Sequence, residues 1–333
     1  MTFRPRGEVT LRLCHQRMSE NRSSYDPVWQ NNPTDVWFWA VRTILLVVSL
    51  LGNGLVVVLI VKRSRLHTSP NWIICSLAIA DLLVTVAIGT TEMLCTLNYC
   101  TFSCNWWILN VFYDMAVIAS VFNLCALTYD RFLAIVHPLK YQLVMTRTRV
   151  FILLLFAWGT AIAAPLPSFA SHLLGDYKSY RAFQILFLFF CEFLPSVLLL
   201  VAYVTMANIA RRQVVRIERY RKALKFNNLH RCSVTKAPFR VQKINSNVQI
   251  IGILVFIFNL CFLLAVYKGV INYVFFKPVS PAVISITRIL YHFNSAANGL
   301  VYAIFKTEYK QEIKRLLGVW SGAKCKPWMS CAV

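Results

Sequence analysis

The sequence predicts an all-α membrane protein. It reads as a bundle of seven transmembrane helices with its N-terminus outside the cell, followed by a short amphipathic C-terminal helix. Three observations predict this. Seven apolar blocks follow one another along the chain, each near the roughly 20 residues a helix needs to cross a bilayer. Lysine and arginine gather in alternate connections between the blocks. Charged residues make up only 14% of the chain against 58% hydrophobic, with a mean hydropathy of +0.56; a soluble domain carries about 25% charged residues.

The blocks span approximately 36–61, 71–94, 107–130, 150–167, 182–206, 248–273 and 281–305. Lipid offers the backbone no hydrogen-bond partner, so each must be a helix. Orientation follows from the basic residues. The segments after blocks one, three and five carry Lys62, Arg63, Arg65, Arg131, Lys140, Arg147, Arg149 and the dense stretch 211–243. The tail after block seven adds Lys306, Lys310, Lys314, Arg315, Lys324 and Lys326. The connections after blocks two, four and six carry little beyond Lys178, Arg181, Lys277 and Lys268 at the edge of its block. The first set is therefore cytoplasmic. The N-terminal tail holds five arginines, offset by Glu8, Glu20, Asp26 and Asp35.

This divides the chain into an extracellular tail (1–35), a seven-span domain (36–305) and a cytoplasmic helix and tail (306–333). The first tail has no apolar core of a cleavable signal peptide. Its sequon Asn21-Arg22-Ser23 is a glycan acceptor if this end is outside, whereas proline blocks Asn32-Pro33-Thr34. Beyond block seven, Lys306 to Leu317 places Ile313, Leu316 and Leu317 on one face and lysines on the other, the pattern of a helix lying on the inner membrane surface.

The net charge of +22 raises nucleic-acid binding, which needs a basic surface on a soluble domain. Here topology accounts for the charge, so no nucleic-acid partner is expected. The eleven cysteines form no zinc-type pairs. Cys75, Cys125, Cys191 and Cys261 fall in apolar blocks as buried thiols. Cys95, Cys100 and Cys104 cluster in one outer connection, where a disulfide such as Cys100–Cys104 is possible. Cys325 and Cys331, beside basic residues, are candidates for acylation.

An ionisable group inside a membrane span costs at least about 2.5 kcal/mol and is a functional candidate by default. Polar groups at mid-span are Asn53, Asp81, Ser120, Asn123, Asn294, Ser295 and Asn298. The plain alternative is interhelical hydrogen bonding, which suits Asn123. A carboxylate among amides and hydroxyls, as at Asp81, can bind a cation such as Na⁺ or take a proton. Asp114 and Asp130 lie sixteen residues apart in block three, about 24 Å along a helix. One therefore faces the cell interior and the other the outer half. Asp130-Arg131 also reads as an ordinary interfacial pair. In the outer half, Glu92, Asp114, Lys268, Arg288 and His292 come from four blocks and are expected to converge on one polar extracellular cavity.

Several motifs resemble those of rhodopsin-like G protein-coupled receptors. They are Gly52-Asn53, Leu77-Ala78-Ile79-Ala80-Asp81, Asp130-Arg131-Phe132 followed by Ala134 to Leu139, Trp158, Pro195, Tyr203, and Asn294-Ser295 with Asn298 and Tyr302. They cover blocks one to five and seven, in order. The resemblance implies an extracellular ligand (a small amine, lipid or peptide) and a heterotrimeric G protein partner. Asp130, Arg131, Pro138, Leu139, Tyr203 and Tyr302 would form the coupling end. Asn53, Asp81, Ser120, Asn294, Ser295 and Asn298 would form a mid-membrane sodium and water network. Glu92, Tyr113, Asp114, Phe262, Arg288 and His292 would line the ligand pocket. The basic segments would also face anionic membrane lipid.

Departures from the family pattern shape the expectation. Block six reads Cys261-Phe262-Leu263-Leu264 where the family has CWxP, so its usual proline kink loses its cause. Gly299 replaces the proline of block seven. Lys243 and Ile244 stand where an acid would restrain Arg131, which predicts basal activity. Trp106 stands where the family's disulfide cysteine is expected, and the outer connection 168–181 has no cysteine. Tyr113 occupies the position of the aspartate in amine receptors, with Asp114 one residue on. His292 occupies the place of the retinal-binding lysine, so no retinal cofactor is expected. Glu92 with Asp114 would attract a cation, whereas Arg288 would neutralise one of them or hold an anion. The competing classes are a non-signalling receptor-like binder and an ion-coupled transporter. No nucleophile–base pair or metal motif suggests an enzyme.

Overall fold

The computed structural model describes residues 36–97, 106–226 and 233–316. The described chain is helical throughout its spans. Span one is Val36–Lys62. Span two is Ser69–Leu82, a π-helical stretch Leu83–Ile88, and Gly89–Leu97. Span three is Trp106–Val136 and span four is Arg147–Ala163, extended by Leu166–Leu173. Span five is Tyr177–Phe187, a π-helical stretch Leu188–Phe193, and Leu194–Phe226. Span six is Ser233–Gly269 with a π-helical end Val270–Val274. Span seven is Pro281–Phe305, and Thr307–Leu316 is the C-terminal helix.

Six of these spans have both the length and the hydropathy to cross a membrane. Span seven has the length, 25 residues or about 37 Å. It is more polar because it faces the other helices: Arg288, His292, Asn294, Ser295 and Asn298 are all buried. The lipid belt comes instead from exposed apolar side chains such as Leu51, Phe156, Val201, Phe256 and Leu263. The core runs up the bundle axis through Leu77, Leu124, Leu254, Phe258 and Phe262.

Span seven packs most extensively on span one. Two glycines meet at the seam. A Cβ on Gly299 would lie 2.6 Å from the backbone N of Asn53 and 2.7 Å from the carbonyl carbon of Gly52. The two backbones thus touch, and Asn53 Nδ2 donates across the seam to the carbonyl of Ser295 (3.0 Å). Small residues permit such approach in membrane bundles.

Three sequence expectations are corrected here. The outer connection 168–181 is not a loop: span four continues as helix and turns at Gly175 (φ 70°) directly into span five. The stop is a Schellman motif, with Asp176 N bonded to Ser171 O (2.9 Å) and Gly175 N to His172 O (3.0 Å). Asp176 then caps span five by accepting from Ser179 N (3.2 Å), and hydrogen bonds from the Ser179 side chain and backbone hold its carboxyl below the usual range. The basic stretch 211–243 is also largely helical, as extensions of spans five and six. Hydropathy marks only the lipid-contacting part of a helix, whereas Arg, Lys and Gln are good helix formers in water. Cys125 is only partly buried, unlike Cys75, Cys191 and Cys261.

Span six, which lacks the family's proline after Phe262, runs as one unbroken α-helix over Ser233–Gly269. The C-terminal helix docks on the bundle. Tyr309 is fully buried, and its hydroxyl donates to Asn71 Oδ1 (3.4 Å), which also accepts from Lys306. Glu312 is buried between Arg63 (3.6 Å) and Arg315 (2.6 Å). Asn21, Cys100, Cys104, Cys325, Cys331 and Leu317 lie outside the described residues, as do the side chains of Cys95, Trp106, Lys243, Ile244 and Leu316.

Candidate functional site

The polar residues fall in three layers. At the inner end of span three, Asp130 is fully buried. Its Oδ1 accepts from the Tyr141 hydroxyl (2.8 Å), and its Oδ2 lies 3.2 Å from Arg131 Nε. Tyr141 sits on a single helical turn, Tyr141–Val144, in the inner connection after span three. Burial and the Asp130 carboxylate hold its hydroxyl above the ordinary tyrosine range, so it remains a donor. Arg131 shares a small open crevice with Leu127, Ile250, Ile251, Tyr302 and Lys306. Tyr203 lies over span six at Gly252, where a Cβ would be 2.6 Å from its ring. Only a glycine lets the ring sit there. Pro138 and Leu139 project from the inner surface, Leu139 almost fully exposed.

The middle layer centres on Asp81. Ser120 Oγ donates to its Oδ1 (2.7 Å) and Asn298 Nδ2 to its Oδ2 (2.9 Å), and Ser295 also hydrogen-bonds it. Asn53 Nδ2 donates to Ser49 Oγ (3.0 Å), which accepts from Thr85 Oγ1 (2.7 Å). Three buried amide oxygens, on Asn53, Asn123 and Asn294, have no protein partner. A buried carboxylate held by hydroxyl and amide groups, in a layer that also holds unpartnered amide oxygens, offers the kind of hard-oxygen donor that Na⁺ takes. These residues therefore fit the cation the sequence suggested. Asn123 otherwise bonds its own helix, at Ala119 O (2.7 Å).

The outer layer holds its charged residues in two clusters that act on each other, Arg288 on Lys268 and both clusters on Tyr113. In the first, Glu92 of span two is clamped between two guanidiniums. Arg42 Nη2 donates to Oε2 (2.6 Å) and Arg288 Nη1 to Oε1 (3.1 Å). His292 Nε2 lies 3.2 Å from Arg42 Nη2, and its Nδ1 lies 2.8 Å from Arg288 O. Guanidinium can only donate, so Nε2 accepts and Nδ1 carries the proton. The Arg42 guanidinium also lies 5.3 Å from the ring centres of Phe38 and Trp39. Glu92 is thus neutralised from two sides and is no free counter-ion.

The second cluster gathers Asp114, Lys268 and Glu192. Lys268 and Glu192 are the charges acting on Asp114. Glu192 Oε1 accepts from Tyr291 (3.0 Å). Tyr113 lies between the clusters, 5.8 Å from the Tyr291 ring and 6.2 Å from the His292 ring. Phe262 meets Tyr291 edge-on (5.2 Å) and stacks on Phe258 (4.2 Å).

Arg42, Glu192, Ser49 and Thr85 were missed from sequence. For Arg42 and Glu192 a signal existed, since each is an ionisable residue within an apolar run. Ser49 and Thr85 gave none, because hydroxyls inside spans commonly bond their own helix. The π-helical turns that contain Glu192 and Thr85 were likewise invisible, having no composition of their own.

Seven helical spans with buried polar layers at both ends and the middle define an integral membrane receptor bundle. Residues 52–302 match the 7 transmembrane receptor (rhodopsin family) model, well over half of the chain. The chain belongs to this family: it is a multi-pass plasma-membrane receptor and not an enzyme. Among its relatives, octopamine receptor beta-1R of Drosophila melanogaster is 26% identical over 306 residues, covering 82% of this chain and 60% of that receptor. Trace amine-associated receptor 8b of Rattus norvegicus is 26% identical over 334 residues, covering 93% and 94%. Neuromedin-U receptor 1 of Rattus norvegicus is 27% identical over 320 residues, covering 85% and 73%.

Proposed function

We propose that the protein binds a small extracellular ligand in its outer layer and passes the event to a heterotrimeric G protein at its inner crevice. The observation carrying this reading is a continuous contact path down the bundle. Glu192 holds Tyr291, Tyr291 meets Phe262, and Phe262 stacks on Phe258. Below, Ile250 and Ile251 of the same span line the crevice with Arg131 and Tyr302. A ligand cation that engages Glu192 draws on the same carboxylate that Tyr291 donates to, and so loads span six. It acts only through its differential affinity for two arrangements of that span.

The Asp81 layer ties spans two, three and seven together. Na⁺ bound there would supply positive charge that holds the carboxylate ionised and the three spans in register. At the inner end Asp130, Arg131, Tyr203 and Tyr302 form the coupling surface, with Pro138 and Leu139 presented to the G protein. The relatives' names speak of amines and of a peptide, and the acidic cluster at Asp114 and Glu192 favours a ligand carrying a cation.

The test is G protein activation in cells across a panel of Gα partners, comparing the intact chain with Arg131→Ala at matched surface level. A basal signal altered by this substitution supports coupling. Silence across the panel, with the receptor at the surface, favours the non-signalling binder, for which the unbroken span six argues. A second expectation concerns the inner lock. Tyr141→Phe removes one hydrogen bond from Asp130, worth about 1 kcal/mol, and basal signal is expected to rise about fivefold. An unchanged basal signal would mean that Tyr141 does not restrain the Asp130–Arg131 pair.

A further inference from the structure

The two outer clusters carry opposite formal charge. Arg42 and Arg288 set two cations against the single anion of Glu92. Asp114 and Glu192 set two anions against the single cation of Lys268. Each cluster also has a buried charged atom with no protein partner. In the first it is Arg42 Nη1, on a residue only 4% exposed. In the second it is Glu192 Oε2. Between them the hydroxyl of Tyr113, a residue 9% exposed, is also unpartnered. A buried charged atom left unpaired costs several kcal/mol, and here a donor cation, a hydroxyl and an acceptor anion are left so together, in one layer, around Tyr113.

We propose that the ligand is a small zwitterion of amino-acid type, its carboxylate taken by Arg42 and its ammonium by Glu192 with Asp114. Its body lies along Tyr113 and Tyr291. This rests on the outer layer being the ligand site, and it narrows the amine reading: a plain amine satisfies Glu192 Oε2 and leaves Arg42 Nη1 unpaired. A carboxylate alone does the reverse. One molecule with both groups completes both clusters and cancels both formal excesses. Tyr113 carries the middle of this arrangement. Its ring is in contact range of His292, which Arg42 holds, and of Tyr291, which Glu192 holds.

The experiment measures thermal stabilisation of the purified full chain, so it does not depend on signalling. The probes are a ladder of straight-chain ω-amino acids, each compared with the alkylamine and the alkanoate of the same length. One ω-amino acid is expected to give its half-maximal shift at a concentration about tenfold below both controls, the gain of one further charged hydrogen bond. In Arg42→Gln that advantage over the alkylamine disappears while the alkylamine response remains. In Glu192→Gln the advantage over the alkanoate disappears while the alkanoate response remains. Tyr113→Phe, which leaves both charge clusters in place, weakens the ω-amino acid and neither control as strongly. Should either charge variant fail to fold, the wild-type ladder with Tyr113→Phe still decides. An alkylamine as effective as every ω-amino acid overturns the proposal, as does an absence of any shift along the ladder. Failure of the receptor reading shows elsewhere, as a G protein signal indifferent to Arg131→Ala in protein that still binds the zwitterion.

Discussion

Replacing Gly299 with proline, the substitution that restores the family's usual motif in span seven, is expected to remove the folded protein from the cell surface. In most of the family this position carries proline, so the change looks conservative from sequence. The geometry says otherwise. Any Cβ at 299 would stand 2.6 Å from Asn53 N, 2.7 Å from the Gly52 carbonyl carbon and 2.8 Å from Asn53 Oδ1. Two of those atoms are backbone inside a 27-residue helix, so no side chain can swing aside and spans one and seven must separate. Overpacking costs about 1–3 kcal/mol where side chains can adjust; here the upper end or more is expected, about a hundredfold in the folded ratio. Separation would also break the bond from Asn53 to Ser295 O and disturb Asn298, which serves Asp81. Gly299→Ala should fail for the same reason, whereas Gly54→Ala, with nothing within 4 Å of its Cβ, should be tolerated. Surface staining and the thermal midpoint of purified protein check this. Wild-type values for Gly299→Ala would mean that the helices do not pack this closely.

Glu92→Gln is expected to be at least as damaging, for an electrostatic reason. Glu92 bridges Arg42 and Arg288, and all three are buried. Removing one partner from a buried ion pair typically costs about 3–5 kcal/mol, because the remaining charge stays desolvated. Here two guanidiniums would remain, facing each other. The thermal midpoint should fall steeply, and Arg288→Met combined with Glu92→Gln should recover part of the loss by removing one of the stranded cations. If Glu92→Gln alone melts like the wild type, the carboxylate is not the keystone of this cluster. High salt should rescue the variant little, since salt screens the repulsion between two buried guanidiniums poorly.

Much of the architecture was legible because lipid imposes simple rules. Backbone groups in hydrocarbon must bond within their own segment, so a long apolar run can only be a helix. The basic residues then set which connections lie inside. Those two facts, with the motifs around Asp81, Asp130 and Asn298, gave the spans, their orientation and the family. What hydropathy could not see was helix continuing beyond the lipid, as at 168–181 and 211–243. It also could not see span seven as a buried element, because a helix that turns its polar face inward loses the hydropathy that marks a lipid-facing one.

By itself, then, the sequence determined that this chain crosses the membrane as a receptor bundle, and which polar residues must lie at inner, middle and outer depth. Depth is a matter of position along a helix, which residue number gives at 1.5 Å per step. Pairing is a matter of rotation about each helix and of closeness between them. Only the tertiary structure decided those. It placed Glu92 between two arginines, brought Glu192 to Tyr291, and set Gly299 against the backbone of span one. Those contacts depend on how seven helices turn toward one another, and local π-helical turns and the fit of single glycines set that rotation.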